Sequence, residues 1–187
     1  WGARVTMGAY FDWAMANALG TVVSTGGRLV RSNPVSEAVE LVGAMRRDAV
    51  IRSSEGVVLA IGVPGAVQDG RVITGHFEEQ WYDTDIAEFF RKRTGLPVVV
   101  ENDINASALG YERRLDSIGQ CPHSLVYVYV SGTCTGSGIV VGGQVVRGAA
   151  HFAGELDYLP VARGQTLRDA LAGAVGDESI VDALASA

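Results

Sequence analysis

The segment Val98-Val99-Val100-Glu101-Asn102-Asp103-Ile104-Asn105-Ala106 restricts what this chain can fold into. A β-branched run leads straight into an Asn-Asp pair, and a helix-forming pattern follows with no linker. A strand feeding a helix in this way is a building block of α/β sheets. Ligands of such sheets gather beyond the C-terminal ends of the strands. Asp103 therefore stands where a carboxylate can accept a proton or a hydrogen bond from a hydroxyl-bearing ligand. Helix capping alone also accounts for an Asp at this junction.

Apolar residues make up 48% of the 187 and charged residues 19%, enough for a core and too ordered a mixture for disorder. The length suits one domain or two small lobes. A net charge of -6 argues against this segment gripping nucleic acid, because phosphate neutralisation needs clustered Lys and Arg. Arg46-Arg47 and Arg91-Lys92-Arg93 read instead as helix ends, where cations complement the dipole. Neither a signal peptide nor an apolar run long enough to span a membrane is visible, so a cytoplasmic setting is expected. Cys121 and Cys134 lack metal-ligand spacing, and nothing demands a disulfide.

Along the chain, residues 4–7, 14–18 and 20–23 read as short strands, with Leu19-Gly20 and Gly26-Gly27 as turns. Asn33-Pro34 opens a helix over 34–47, whose Val35, Ala38, Val39, Val42 and Met45 form one apolar face. Residues 57–63 form a continuous apolar run, expected as a central strand, and 71–74 a short one. Thr84 or Asp85 opens a helix to about Thr94 that turns Ile86, Phe89 and Phe90 inward, and Gly95 closes it. A strand over 96–101 and a helix over 105–115 follow. Residues 124–131 are strongly β, 137–142 and 144–148 read as a hairpin around Gly142-Gly143, and the tail carries helices over 166–174 and 177–187. The pattern predicts two α/β lobes, 1–105 and 106–187.

Three further segments suit chemistry. Ser131-Gly132-Thr133-Cys134-Thr135-Gly136-Ser137-Gly138 combines small residues and hydroxyls that let backbone N–H groups approach an anion. A plain Gly/Ser/Thr hairpin explains the same composition. Gly154-Glu155-Leu156-Asp157-Tyr158 offers a second carboxylate for ligand hydroxyls, or a merely solvated one. Gly62-Val63-Pro64-Gly65-Ala66-Val67 ends a strand in a tight turn, where Gly65 allows a ligand close to the backbone. His76, His123 and His151 are scattered and read as surface or packing residues. Trp81 and Tyr82 read as packing residues before ligand-stacking ones, and Cys134 as a packing residue before a reactive thiol.

In order and spacing, 62–67, 101–106, 132–138 and 148–155 resemble successive motifs of the ROK family of sugar kinases and sugar-responsive repressors. The resemblance runs over about residues 4–161. It implies an actin-like (ribonuclease H-like, hexokinase-like) two-lobed α/β fold with a sugar in the cleft, the second lobe being truncated because the family's later helices and closing strands are reduced to a short tail from Gly164. It also implies that Asn102 and Asp103 contact sugar hydroxyls, with Asp103 as general base in a kinase, and that Glu155 is a further sugar contact. Gly65 and Tyr158 complete the expected substrate-binding set.

The departures from the family pattern shape the functional expectation. Val5-Thr6-Met7-Gly8-Ala9-Tyr10-Phe11 stands where the kinases have an Asp and a Gly-Gly-Thr phosphate turn, and Thr6 brings no carboxylate for hydrated magnesium. Cys134 replaces a usual Gly, so Gly132, Thr133 and Gly136 form a degenerate phosphate loop. Tyr158 replaces a His linked to the family's zinc site, and no cysteine follows Cys134, so neither zinc nor another metal is expected. The expected function is a sugar-sensing effector domain of a ROK-type bacterial transcriptional regulator without kinase activity. It would bind a monosaccharide or amino sugar, need no cofactor, touch no membrane, and associate as a homo-oligomer. DNA would be bound only through a helix-turn-helix segment not present in this chain. The alternatives are a sugar kinase using Mg-ATP and a degenerate member that binds no sugar.

Overall fold

A computed structural model describes residues 2–6, 10–17, 19–29, 34–47, 57–74, 85–120, 122–131 and 134–171. The chain divides into two compact units, Trp1–Asp103 and Ile104–Ala187.

The first unit is built on a five-stranded sheet. Strands β1 (Gly2–Thr6), β2 (Tyr10–Ala16) and β3 (Val22–Leu29) form an antiparallel meander. Helix α1 (Pro34–Arg47) leads to β4 (Leu59–Val63), which lies parallel to β1. A small hairpin, β5 (Ala66–Gln68) and β6 (Arg71–Thr74), and helix α2 (Ile86–Thr94) lead to β7 (Val98–Asn102), parallel to β4. The sheet order is β3-β2-β1-β4-β7. Parallel neighbours cannot be joined by a tight turn, so helical crossovers are required. Leu59, Ile61 and Val63 of β4 are buried with Val42 of α1 and Ile86, Phe90 and Leu96 around α2. This matches the apolar run expected of a central strand.

Helix α2 has the ends its sequence specifies. The Asp85 carboxylate accepts the Glu88 N–H at 2.7 Å, and Gly95 takes φ 67° while its N–H donates to the Arg91 carbonyl at 2.9 Å. Phe90 is buried, and Phe89 packs against the same core while the Arg93 guanidinium lies 3.5 Å from its ring centre.

The expected turn at Gly26-Gly27 is corrected, because both residues lie inside β3. Trp13 and Gly26 are register partners, and a Cβ on Gly26 would come within 2.5 Å of the Trp13 ring. Glycine here makes room for an indole laid across the neighbouring strand. The turn at Leu19-Gly20 is present: Gly20 adopts φ 81°, and Asn17 Oδ1 accepts from the N–H groups of Leu19 and Thr21, each at 3.0 Å.

The second unit begins within helix α3 (Asp103–Ser117), which starts two residues earlier and ends two later than expected. Strands β8 (Ser124–Val130), β9 (Thr135–Val141) and β10 (Gln144–Val145) form an antiparallel sheet in the order β10-β9-β8. Gly142 and Gly143, at φ 57° and 75°, make the tight turn between β9 and β10. β10 stops at Val145, short of the expected 148. A 3-10 turn (Leu156–Tyr158), the unforeseen pair β11 (Pro160–Ala162) and β12 (Gln165–Thr166), and helix α4 (Leu167–Leu171) complete the described part. Hydrogen bonds from the Thr166 backbone and hydroxyl hold the Asp169 carboxyl below its usual pKa at the start of α4. Asn33, Cys121, Trp81, Tyr82, His76 and the expected helix 177–187 lie outside the described residues.

Gly26→Ala should lower stability by about 1–3 kcal/mol through displacement of the Trp13 indole. Thermal or urea unfolding measures the loss, and tryptophan fluorescence reports the displaced ring.

Candidate functional site

The candidate residues fall into two clusters, one in each unit. In the first, parallel pairing places Val63, the last residue of β4, opposite Asn102, the last residue of β7. Both strands therefore end at one side of the sheet, the side where α/β sheets bind ligands. After β4 the chain turns at Pro64-Gly65, with Gly65 at φ 106°, a conformation that favours glycine. This turns the Gly65 carbonyl toward Asn102, whose side-chain Nδ2 donates to it at 3.0 Å. Asn102 is only 7% exposed, so its amide is held in place, and its backbone N–H donates to Glu101 Oε1 at 3.0 Å.

Asp103 is half-buried and is the first residue of α3, not the residue before it. A carboxylate there lies in the favourable field of the helix N-terminus. The structure thus brings Gly65 and Asn102 into direct contact, with Asp103 next in the chain. Thr6 is the last residue of β1 and the register partner of Tyr10, while residues 7–9 lie outside the described part.

In the second unit, Gly132 and Thr133 lie outside the described residues. The residues flanking them bond each other. The Ser131 N–H donates to the Cys134 carbonyl at 2.9 Å, and the Cys134 N–H donates to Ser131 Oγ at 3.1 Å. Half-buried Cys134 also has its Sγ 3.4 Å from Ser131 Oγ. The next N–H, of Thr135, donates to Asp157 Oδ1 at 2.7 Å. Gly136 is buried in β9, where a Cβ would stand 2.5 Å from Ile104 Cδ1, and Gly138 is as close to Ala108. Both glycines serve the close approach of β9 to α3.

The 148–158 segment is anchored to β9. The Ser137 N–H donates to the Gly154 carbonyl at 2.7 Å, and Gly154 has φ 92°. A Cβ on Gly154 would overlap the Ser137 carbonyl. Half-buried Glu155 follows at the start of the 3-10 turn, and its carbonyl accepts the Tyr158 N–H at 3.3 Å. Tyr158 closes the turn, 54% exposed, with its ring edge-on to Phe152 at 6.1 Å. Glu155 and Tyr158 thus belong to one anchored turn.

Asp157 was not foreseen. It is buried, holds the Thr135 N–H, and stands 3.9 Å from the Arg168 guanidinium of α4. Nothing in the spacing of Glu155 and Asp157 distinguishes the buried acid from the half-buried one. His151 lies in the same segment at φ 58°, with its Nδ1 buried and lacking a hydrogen-bond partner. Among the described residues, no three His, Cys, Asp or Glu side chains gather as a metal site, and no cysteine follows Cys134 in the sequence. Among the described residues no helix is long and apolar enough to cross a membrane.

The model of the ROK family matches residues 8–187. The chain belongs to the ROK family. Its relatives divide between repressors and kinases. A xylose repressor of Caldicellulosiruptor bescii is 32% identical over 105 residues, covering 55% of this chain and 25% of the repressor. A ROK family glucokinase from Streptomyces griseus, solved with glucose and AMPPNP, is 27% identical with a TM-score of 0.63, over 87% of this chain and 50% of the enzyme. A ROK family transcriptional regulator homologous to the E. coli MLC protein has a TM-score of 0.68 at 19% identity, over 99% of this chain and 49% of that one. The ROK domain described here therefore has the actin-like α/β fold and spans about half the length of these solved relatives.

Two substitutions test the anchoring of the second cluster. Gly154→Ala should cost roughly 3 kcal/mol or more, from overlap with Ser137 and from a strained φ. Asp157→Ala should cost about 1–3 kcal/mol by leaving the Thr135 N–H without its acceptor. Chemical denaturation of the purified variants measures both.

Proposed function

We propose that this ROK domain binds a monosaccharide or amino sugar as the effector domain of a transcriptional regulator and does not transfer phosphate. The hydrogen bond from buried Asn102 to the Gly65 carbonyl carries this reading, because it holds an amide rigidly at the ends of two parallel strands. Rigidly held amides and carboxylates suit sugar hydroxyls, each of which both donates and accepts. Asp103 accepts from a hydroxyl in this reading and Asn102 orients it, while Gly65 admits the ligand to the backbone. Glu155 and Tyr158 enter this reading from the family resemblance alone.

Two features support sensing over phosphoryl transfer. Thr6 has a neutral hydroxyl where a kinase of the family has a magnesium-organising carboxylate. In the Ser131–Cys134 turn, the N–H groups of Ser131, Cys134 and Thr135 are already committed within the protein. N–H groups so committed do not cradle a phosphate. Regulation requires that the sugar bind one conformation of the full protein better than another. DNA contact falls, in this reading, to a helix-turn-helix segment outside these 187 residues, and the working form is a homo-oligomer.

The kinase reading keeps two supports: Asp103 is retained, and a glucokinase is among the solved relatives. There Asp103 would take the proton of the attacking sugar hydroxyl. Calorimetric titration with a panel of sugars and amino sugars, then with Mg-ATP, separates the readings. Sugar binding without ATP binding or phosphotransfer is expected. ATP binding with turnover would replace this reading with the kinase. Asp103→Asn should weaken sugar binding by about 1–3 kcal/mol, since a charged acceptor becomes a neutral amide. Unchanged affinity in that variant would remove Asp103 from the site.

A further inference from the structure

The loop between β10 and the 3-10 turn is tied at its base and strained at its tip. The Ala153 N–H donates to the Arg147 carbonyl at 3.0 Å, and beyond it the Gly154 carbonyl accepts from Ser137. Between the bonded residues Arg147 and Ala153, residues 148–150 are exposed and His151 is half-buried. His151 takes φ 58°, in the left-handed region, where a side chain is disfavoured. Among the described residues, the other non-glycine with positive φ is Asp69. Asp69 and Gly70 form the two-residue turn of the β5–β6 hairpin, which calls for that conformation. His151 instead ends a turn closed by a long bond, its N–H reaching the Gly148 carbonyl at 3.3 Å.

A second cost falls on the same residue. The His151 Nδ1 is buried and has no hydrogen-bond partner, which leaves a polar atom desolvated without compensation. Its neighbour Phe152 faces outward, 39% exposed. The polar ring is thus turned in and the apolar ring out, the reverse of what burial favours. Phe152 is also joined to both candidate residues that follow it. Its carbonyl accepts the Glu155 N–H at 3.3 Å, and its ring lies edge-on to Tyr158 at 6.1 Å. A rearrangement at His151 therefore reaches Glu155 and Tyr158 through one residue, while the bonds of Ala153 and Gly154 hold the base of the loop.

We propose that residues 148–152 exchange between the described conformation and a second one, in which His151 leaves the left-handed region and its ring leaves the interior. Sugar bound at Glu155 and Tyr158 selects the second conformation. For its ligand this proposal rests on the effector-domain reading above. A ligand shifts such a balance only by binding the two forms unequally. The hydrogen bond and the ring contact of Phe152 supply that difference, because both change when His151 moves. The strain at His151 keeps the described form only slightly preferred, so a modest difference in affinity is enough to reverse the preference.

His151→Gly tests it, because glycine accepts the left-handed conformation at little cost and brings no imidazole. The substitution removes both costs from the described form. Relaxation-dispersion NMR of the ligand-free protein should show microsecond-to-millisecond exchange at the amides of residues 149–153, and none in the variant. The variant should melt at a higher temperature. In calorimetric titration it should bind the sugar that the unmodified protein binds about tenfold more weakly, since its binding-competent form is less populated. Absence of exchange in the unmodified protein would overturn the proposal. So would a variant that melts no higher, or one that is stabilised with unchanged sugar affinity. Exchange that His151→Gly abolishes, in a protein that binds no sugar of the panel, would uphold the two-form loop and overturn the effector-domain reading instead.

Discussion

The parallel pairing of β4 with β7 is the constraint on which the first unit and its candidate site depend. It buries Leu59, Ile61 and Val63 against Val42, Ile86, Phe90 and Leu96, and it brings Val63 level with Asn102. Neither strand alone places a polar group usefully. Only when both end together does the Gly65 carbonyl meet the Asn102 amide, and only then is Asp103 delivered at the head of α3. The packing that stabilises the sheet is the packing that aims the polar groups, so site and core cannot be varied independently.

The second unit relies on close backbone approach. Gly136 and Gly138 let β9 lie against α3, and Gly154 lets the following segment bond the Ser137 backbone. A β-carbon at any of the three meets occupied space. Buried Asp157 completes the arrangement by taking the Thr135 N–H, which ties the 3-10 turn carrying Glu155 and Tyr158 to the start of β9. Of the residues in the candidate phosphate loop, Gly136 lets β9 pack against α3, and Ser131 and Cys134 hydrogen-bond each other.

Elements with strong local signals were legible. α1 carries its apolar stripe on Ala38, Val39, Val42 and Met45, and α2 carries Asp85 and Gly95 at its two ends. The Gly142-Gly143 turn needed nothing beyond two residues that tolerate positive φ. Failures occurred where a distant residue set the conformation. Gly26-Gly27 has the composition of a turn, and Trp13 makes it a strand. The β11–β12 pair is too short for periodicity to register. Asp157 looks no different from Glu155 until the fold buries one and half-exposes the other.

The amino-acid sequence by itself determined the α/β class, the helices with explicit caps, the apolar central strand, and the family, through the order of its glycine and Asn-Asp motifs. Those features are local, written in residues close together in the chain. Tertiary structure alone decided that the Gly65 carbonyl orients Asn102 across 37 residues, that Gly154 is pinned to Ser137, and that Asp157 is buried while Glu155 is not. These depend on strand register and on which face of each element is covered, and both are settled only when segments far apart in sequence compete for the same core.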